Sequence, residues 1–307
     1  MKKLLNIDGG GVRVYFSLLI LNYIEIKTNK NIVDCFDYFS GVSASSIVLA
    51  ALLTRYSVKE MITRFKEISA KVFYRSYYHM ITSGFGMFDS KYNDFYINME
   101  LQMLFPGMKL HDAKKPLSIL TYDMDSCKAM CFYSYKMPCK ENDLSYELPG
   151  YDMWKIVRGS TAAPTYFIPY KSYNCNMVDG GVVANNLSEL TFIDSINYFG
   201  KDEEYIQVSI GTGNYKPTNK EIPSGIWSWS SAIVDAFFAA SSSNEMITLD
   251  KLSKFENLKQ FYRIDIELKQ EILLDCTSSF DTMDKIFEEW LEQNTEYLNS
   301  ICEDITQ

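Results

Sequence analysis

One serine-bearing turn constrains the architecture of this chain more than any other stretch. Residues 32–39 form an apolar, strand-like run, residues 47–53 form a helical run, and Ser40-Gly41-Val42-Ser43-Ala44-Ser45-Ser46 joins them. A serine among small residues at a strand-to-helix junction is the pattern of a nucleophile elbow. The tight turn pushes the Ser43 hydroxyl outward, and small neighbours such as Gly41 and Ser45 leave it unobstructed. A helix beginning at Ser45 or Ser46 would aim unpaired N–H groups and a positive dipole end at the same point, favouring negative charge there. Ser43 reads either as a nucleophile or as a helix N-cap, a position serine commonly takes. The usual elbow also ends in glycine, where Ser45 stands here.

A second strand-to-helix junction opens the chain. Leu4 to Ile7 reads as a strand and runs into Asp8-Gly9-Gly10-Gly11-Val12-Arg13. Apolar residues at Val14, Leu18, Leu21 and Ile24 then recur at helical intervals. Glycines between a strand and a helix leave backbone N–H groups open to an anion, either a phosphate or an oxyanion. The Gly-Lys-Ser/Thr ending of a phosphate-binding loop is missing, and Val14 stands where a dinucleotide fingerprint has glycine.

Strand and helix patterns continue to alternate. Val58–Val72 is an amphipathic helix with a basic neighbourhood. Residues 73–105 are crowded with aromatics and methionines, which suits a mobile cap touching a lipid surface. Residues 116–123 and 129–135 read as paired strands, and residues 152–163 as a helix stopped by Pro164. A short strand at 176–178 delivers Asp179-Gly180-Gly181, where a carboxylate at a strand end is kept open by glycines. A helix at 187–199, a strand at Tyr205–Ile210, a helical pattern over 225–258, a strand at 260–266 and an acidic amphipathic helix at 280–305 complete the order. Such alternation predicts a mainly parallel sheet covered on both faces.

Charge and cysteine narrow the function classes. The formal charge of −9 resides entirely in residues 271–307, and the remaining 270 residues balance. No basic stripe exists, so nucleic acid is not an expected partner. The seven cysteines include no C-x-x-C, and no histidine pair completes a zinc site around Cys127, Cys131 and Cys139. Neither a metal nor another cofactor is expected. The N-terminal apolar run is too short for a signal peptide, and no run is long enough for a transmembrane helix. A cytoplasmic protein with reduced thiols, peripheral to membranes, is the expectation.

If Ser43 is a nucleophile it needs a base, and histidine is scarce. His79 lies in the aromatic stretch and His111 in a polar run, and neither follows a strand. A carboxylate can serve instead if the site keeps it ionised and aimed. Asp179 fits by type, with no nearby lysine or arginine in the sequence to claim it.

Together Asp8-Gly-Gly-Gly-Val-Arg13, Gly41-Val-Ser-Ala-Ser45 and Asp179-Gly-Gly181, in that order, resemble the patatin-like phospholipase family. The segments from Ser160 to Phe167, Val178 to Asn186, Val208 to Gly213 and Phe261 to Ile264 are similar as well. The likeness spans roughly residues 4–300 and is weakest over 73–110. It implies a three-layer α/β/α sandwich and a single catalytic domain over 1–307. Within it lie a core at about 4–215, a cap-like insert at about 73–110 and a helical extension at 216–307. It also implies a Ser43 nucleophile, an Asp179 base, and an oxyanion hole from Gly9, Gly10 and Gly11 with Arg13 beside it. The implied activity is hydrolysis of phospholipid or lysophospholipid esters without a cofactor, at a transient membrane contact. Val14 and Ser45 depart from the family pattern, with Val14 expected to crowd the first helix and Ser45 to shift the elbow slightly. The alternatives are a weak or inactive interaction module on the same fold, with the acidic tail as its docking surface, and a nucleotide-binding protein using the glycine loop.

Overall fold

The computed structural model describes residues 1–75, 90–136, 150–215 and 255–306. The expectations for residues 76–89 of the aromatic insert, including His79, and for the helical pattern over 225–254 lie outside these residues. The chain builds a central sheet in the order β5-β6-β3-β2-β1-β7-β9, with β4 also paired to β3. Here β1 is Lys2–Ile7, β2 Tyr38–Val42, β3 Leu117–Asp123, β4 Lys128–Tyr133, β5 Tyr170–Ser172, β6 Cys175–Asp179, β7 Tyr205–Ile210 and β9 Leu258–Ile264. Strands β3, β2, β1, β7 and β9 run parallel, while β4, β5 and β6 add antiparallel pairs. A two-residue strand β8, Asn214–Tyr215, pairs separately with β10, Glu267–Leu268.

Helices flank the sheet on both faces, as the alternation predicts. Alternate residues of the central strands explain the division. Leu5 and Ile7 of β1 and Ile206, Val208 and Ile210 of β7 point into the larger core. That core is built with α1 (Val14–Thr28), α3 (Ala44–Thr54), α4 (Val58–Val72), α5 (Asp94–Leu104), α6 (Met153–Ser160) and α8 (Phe280–Asp304). Leu4, Tyr38 and Tyr205 point to the other face, under α7 (Ser188–Phe199), where Phe192 packs on them. Val14, fully buried at the first turn of α1, is absorbed by the larger core.

One expected strand changes identity. Residues 32–35 form a single helical turn, α2 (Ile32–Cys35), tied to α1 by the Ile32 N–H donating to Glu25 Oε1 at 2.8 Å. The strand begins only at Tyr38. A short apolar run without alternation carries no period that separates a buried turn from a buried strand.

The face under α7 also carries a polar row crossing the sheet. Cross-strand register lines up Ser118, Ser40, Asn6, Ser209 and Arg263 on five adjacent strands. Hydroxyls of Ser40 and Ser118 lie 2.6 Å apart, Asn6 Nδ2 donates to Ser209 Oγ at 2.9 Å, and Arg263 Nη1 donates to the same oxygen at 2.7 Å. Satisfied networks of this kind rigidify a core. This one lies two or three residues upstream of Asp8 and Ser43.

Candidate active site

Parallel strands β1 and β2 end side by side, with Ile7 opposite Gly41. The two glycine-flanked turns therefore emerge at one edge. After β1 the backbone passes through Asp8 and the three glycines into a short 3-10 turn, Gly11–Arg13, and then α1. Close approach dictates the glycines. A Cβ on Gly10 would stand 2.3 Å from Thr212 Oγ1, and one on Gly11, whose φ is +55°, would stand 2.1 Å from the Leu274 carbonyl oxygen.

Asp8 is buried and held by a bidentate pair. Arg263 Nη1 and Nη2 donate to its two oxygens at 2.9 and 2.6 Å. Burial pushes its pKa up, the Arg263 guanidinium opposes that, and the outcome is about 6.

Ser43 occupies a strained backbone conformation, φ 58° and ψ −137°, a region that costs about 1–3 kcal/mol for a non-glycine residue. Its N–H donates to Ser160 Oγ at 3.0 Å, and Ser160 donates onward to the Leu120 carbonyl at 2.7 Å. Ser160 thus pins the turn to β3. Although Ser43 sits at the N-cap position of α3, its side chain makes no capping hydrogen bond. Ser45 ties the elbow to β1. Its hydroxyl accepts the Val42 N–H at 2.9 Å and lies 2.8 Å from the Ile7 and Val42 carbonyls, either of which it can reach as donor. A glycine there would lose this link between β1 and β2.

Asp179 ends β6 opposite Thr121 of β3 and is fully buried. Its N–H donates to the Ala162 carbonyl at 3.0 Å, so the Ser160–Ala163 segment fixes both Ser43 and Asp179. Oδ1 accepts the Gly181 N–H at 2.8 Å, while Oδ2 is buried without a hydrogen bond of good geometry. Burial raises the carboxyl pKa to about 7, and the nearby Ser43 hydroxyl, followed by the Gly181 N–H, pulls it back. Gly180 is required because a Cβ would stand 2.4 Å from the Leu120 carbonyl oxygen.

Of the glycine loop's N–H groups, that of Gly9 is already taken, donating to the Asn185 carbonyl at 3.1 Å. Asn185 Nδ2 returns a bond to the Gly9 carbonyl at 3.1 Å, and Thr212 Oγ1 adds another at 3.0 Å. The N–H groups of Gly10 and Gly11 meet no acceptor among the described residues. Gly9, Gly10, Gly11, Arg13, Ser43 and Asn185 share one pocket. Its deeper wall is apolar, with Phe65, Ile68 and Val72 from α4, Ile97 and Leu101 from α5, and Tyr166 and Phe167. His111 lies exposed in another turn beside Asp112. Among the described residues no cluster could hold a metal, and no helix is long and apolar enough to cross a membrane.

Ser160, Asn185, Thr212 and Arg263 sit in segments whose family likeness is visible in the sequence, yet spacing alone assigns them no role. Leu274 carries no signal at all.

A family model described as patatin-like phospholipase matches residues 5–191. Patatin-like protein 4 of Arabidopsis thaliana is 27% identical, with 96% of this chain and 84% of that protein aligned. The probable inactive patatin-3-Kuras 1 of Solanum tuberosum is 25% identical, with 79% and 72% aligned. The crystal structure of VipD from Legionella pneumophila covers 94% of this chain and 67% of its own at a TM-score of 0.44 and 13% identity.

Proposed function

The chain belongs to the patatin-like phospholipase family, and from that membership we propose that it is a serine hydrolase cleaving carboxylic esters of phospholipids or lysophospholipids. The observation that carries this reading is the pairing of two uncommitted groups. The Ser43 hydroxyl makes no capping bond to its helix, and the buried Asp179 carboxyl near it has one oxygen, Oδ2, with no hydrogen-bond partner among the described residues. Ser43 Oγ attacks the ester carbonyl carbon while Asp179 takes its proton. The N–H groups of Gly10 and Gly11 receive the developing oxyanion, a contribution of about 3–4 kcal/mol for a donor of this kind. Collapse breaks the ester C–O bond, and the Asp179 proton passes to the departing alcohol. Water, deprotonated by Asp179, then attacks the acyl-enzyme and releases the fatty acid. The apolar wall from α4 and α5 suits an acyl chain. Substrate presented from a bilayer makes a transient membrane contact and a cytoplasmic, peripheral location the expected setting.

One relative's name includes "inactive", so this chain's own residues must decide. Incubation with phosphatidylcholine and lysophosphatidylcholine vesicles, with free fatty acid measured, is the test. Release by wild type and none by Ser43→Ala supports hydrolysis. No release from any phospholipid or lysophospholipid would leave an inactive module on the same fold as the better reading.

A further inference from the structure

The pocket is completed by a segment far from the family match. Between β10 and α8 the chain crosses the glycine loop, and this crossing is anchored at both ends by the buried Ile272 and Phe280. At its centre the Leu274 carbonyl accepts the Val12 N–H at 2.8 Å, and the Leu274 side chain lines the pocket. The same carbonyl makes glycine obligatory at position 11. The next residue, Asp275, has a side chain only 6% exposed. It accepts the Tyr92 hydroxyl at 2.5 Å and pairs with the Lys91 ammonium at 2.5 Å.

Those two partners belong to the opposite wall. The Lys91 and Tyr92 N–H groups donate to the Thr165 and Tyr166 carbonyls at 2.9 and 3.0 Å, and the Tyr92 ring stacks on Tyr166. A few residues earlier the same stretch supplies Ser160 to the Ser43 N–H and the Ala162 carbonyl to the Asp179 N–H. A closed ring of contacts therefore runs from the glycine loop through Leu274, Asp275 and Tyr92 to the segment holding Ser43 and Asp179.

We propose that Asp275 is a positioning residue for the hydrolase reaction, holding the Leu274 carbonyl against the glycine loop so that the Gly10 and Gly11 N–H groups stay aimed at the oxyanion. The inference rests on the proposed function. It assigns a role in the chemistry to residues 272–276, outside the matched 5–191. Asp275 touches no substrate atom. Its loss lets the Leu274 carbonyl drift and loosens donors needed most in the transition state, so the turnover number falls while substrate affinity is largely kept.

The test uses the full chain, a soluble p-nitrophenyl butyrate assay and a fluorophosphonate probe. For Asp275→Ala we expect kcat to fall about tenfold or more, in the range set by weakening one oxyanion donor, with KM moving less than about threefold. Asp275→Asn, which keeps an acceptor for Tyr92, should recover most of the loss. Probe labelling of Asp275→Ala should slow in parallel with kcat. Wild-type kcat and labelling rate in Asp275→Ala, or a loss confined to KM, would overturn the proposal. If Asp275→Ala does not fold, Tyr92→Phe, which removes the hydroxyl that donates to Asp275, is read in its place, and unchanged kcat there overturns it equally. A wild type that neither labels nor hydrolyses the ester defeats the proposed function. A wild type that does both, beside an equally reactive variant, defeats only the role of Asp275.

Discussion

Asp8 and Asp179 invite comparison, because Asp8 directly follows β1, Asp179 ends β6, and each precedes glycines and is buried. Their surroundings differ in one respect. Asp8 is clasped by both terminal nitrogens of Arg263, whereas Asp179 has one backbone donor, the Ser43 hydroxyl nearby and no cation partner among the described residues. A paired carboxylate holds a loop in place, and an unpaired one is available to take a proton. The sequence motifs are nearly identical, so partners and not motifs separate structure from chemistry.

Replacing each aspartate by asparagine should split the two roles. Asp179→Asn should lower kcat for ester hydrolysis about 10³-fold, within the range for loss of a general base, while the thermal melt stays cooperative. Near-normal activity in that variant would remove Asp179 from the mechanism. Asp8→Asn should act on stability instead, by about 2 kcal/mol in denaturant unfolding, since it removes two charge-assisted hydrogen bonds to the partly buried Arg263, which keeps Asp265 at 3.5 Å. Activity per folded molecule should fall far less. An equal loss of catalysis in both variants would erase the distinction.

Acidity sharpens the contrast. With a carboxyl pKa near 7, kcat/KM should rise about tenfold per unit below pH 7 and level off above it, as expected of a base that must be ionised. Stability should move the other way. The folded Asp179 keeps its proton to higher pH than the unfolded chain does, so the folded state binds more protons between about pH 4 and 7 and stability falls as pH rises through that window. Asp8 and Asp194, with pKa values raised to about 6 and about 7, act in the same direction. Asp179→Asn should flatten this slope and melt higher than wild type at pH 8. The smallest effect is expected at Ser45→Gly, about 1 kcal/mol from the lost hydroxyl link beneath the elbow, with kcat close to wild type.

Much of this was legible in the sequence where one element suffices. Val58–Val72 and Tyr205–Ile210 have the limits their periods predict, and the order of Asp8, Ser43 and Asp179 carried the family likeness. Residues 32–35 read as strand in the sequence and form a helical turn in the fold, because a single buried turn has no period. The ion pair of Asp8 with Arg263 spans 255 residues, and only the parallel register of β1, β7 and β9 creates it. Gly9 looks like its neighbours in sequence, yet its N–H is occupied by Asn185 in the fold. Asp275 reads as one acid in an acidic tail until Lys91 and Tyr92 are brought to it.

The dyad is tested most directly by mapping a fluorophosphonate adduct by mass spectrometry at pH 8, on wild type and Asp179→Asn. One adduct is expected, on the peptide carrying Ser43, forming at least about a hundredfold more slowly in Asp179→Asn. An adduct on any other residue, or labelling of Ser43 at the same rate without the Asp179 carboxylate, would contradict it.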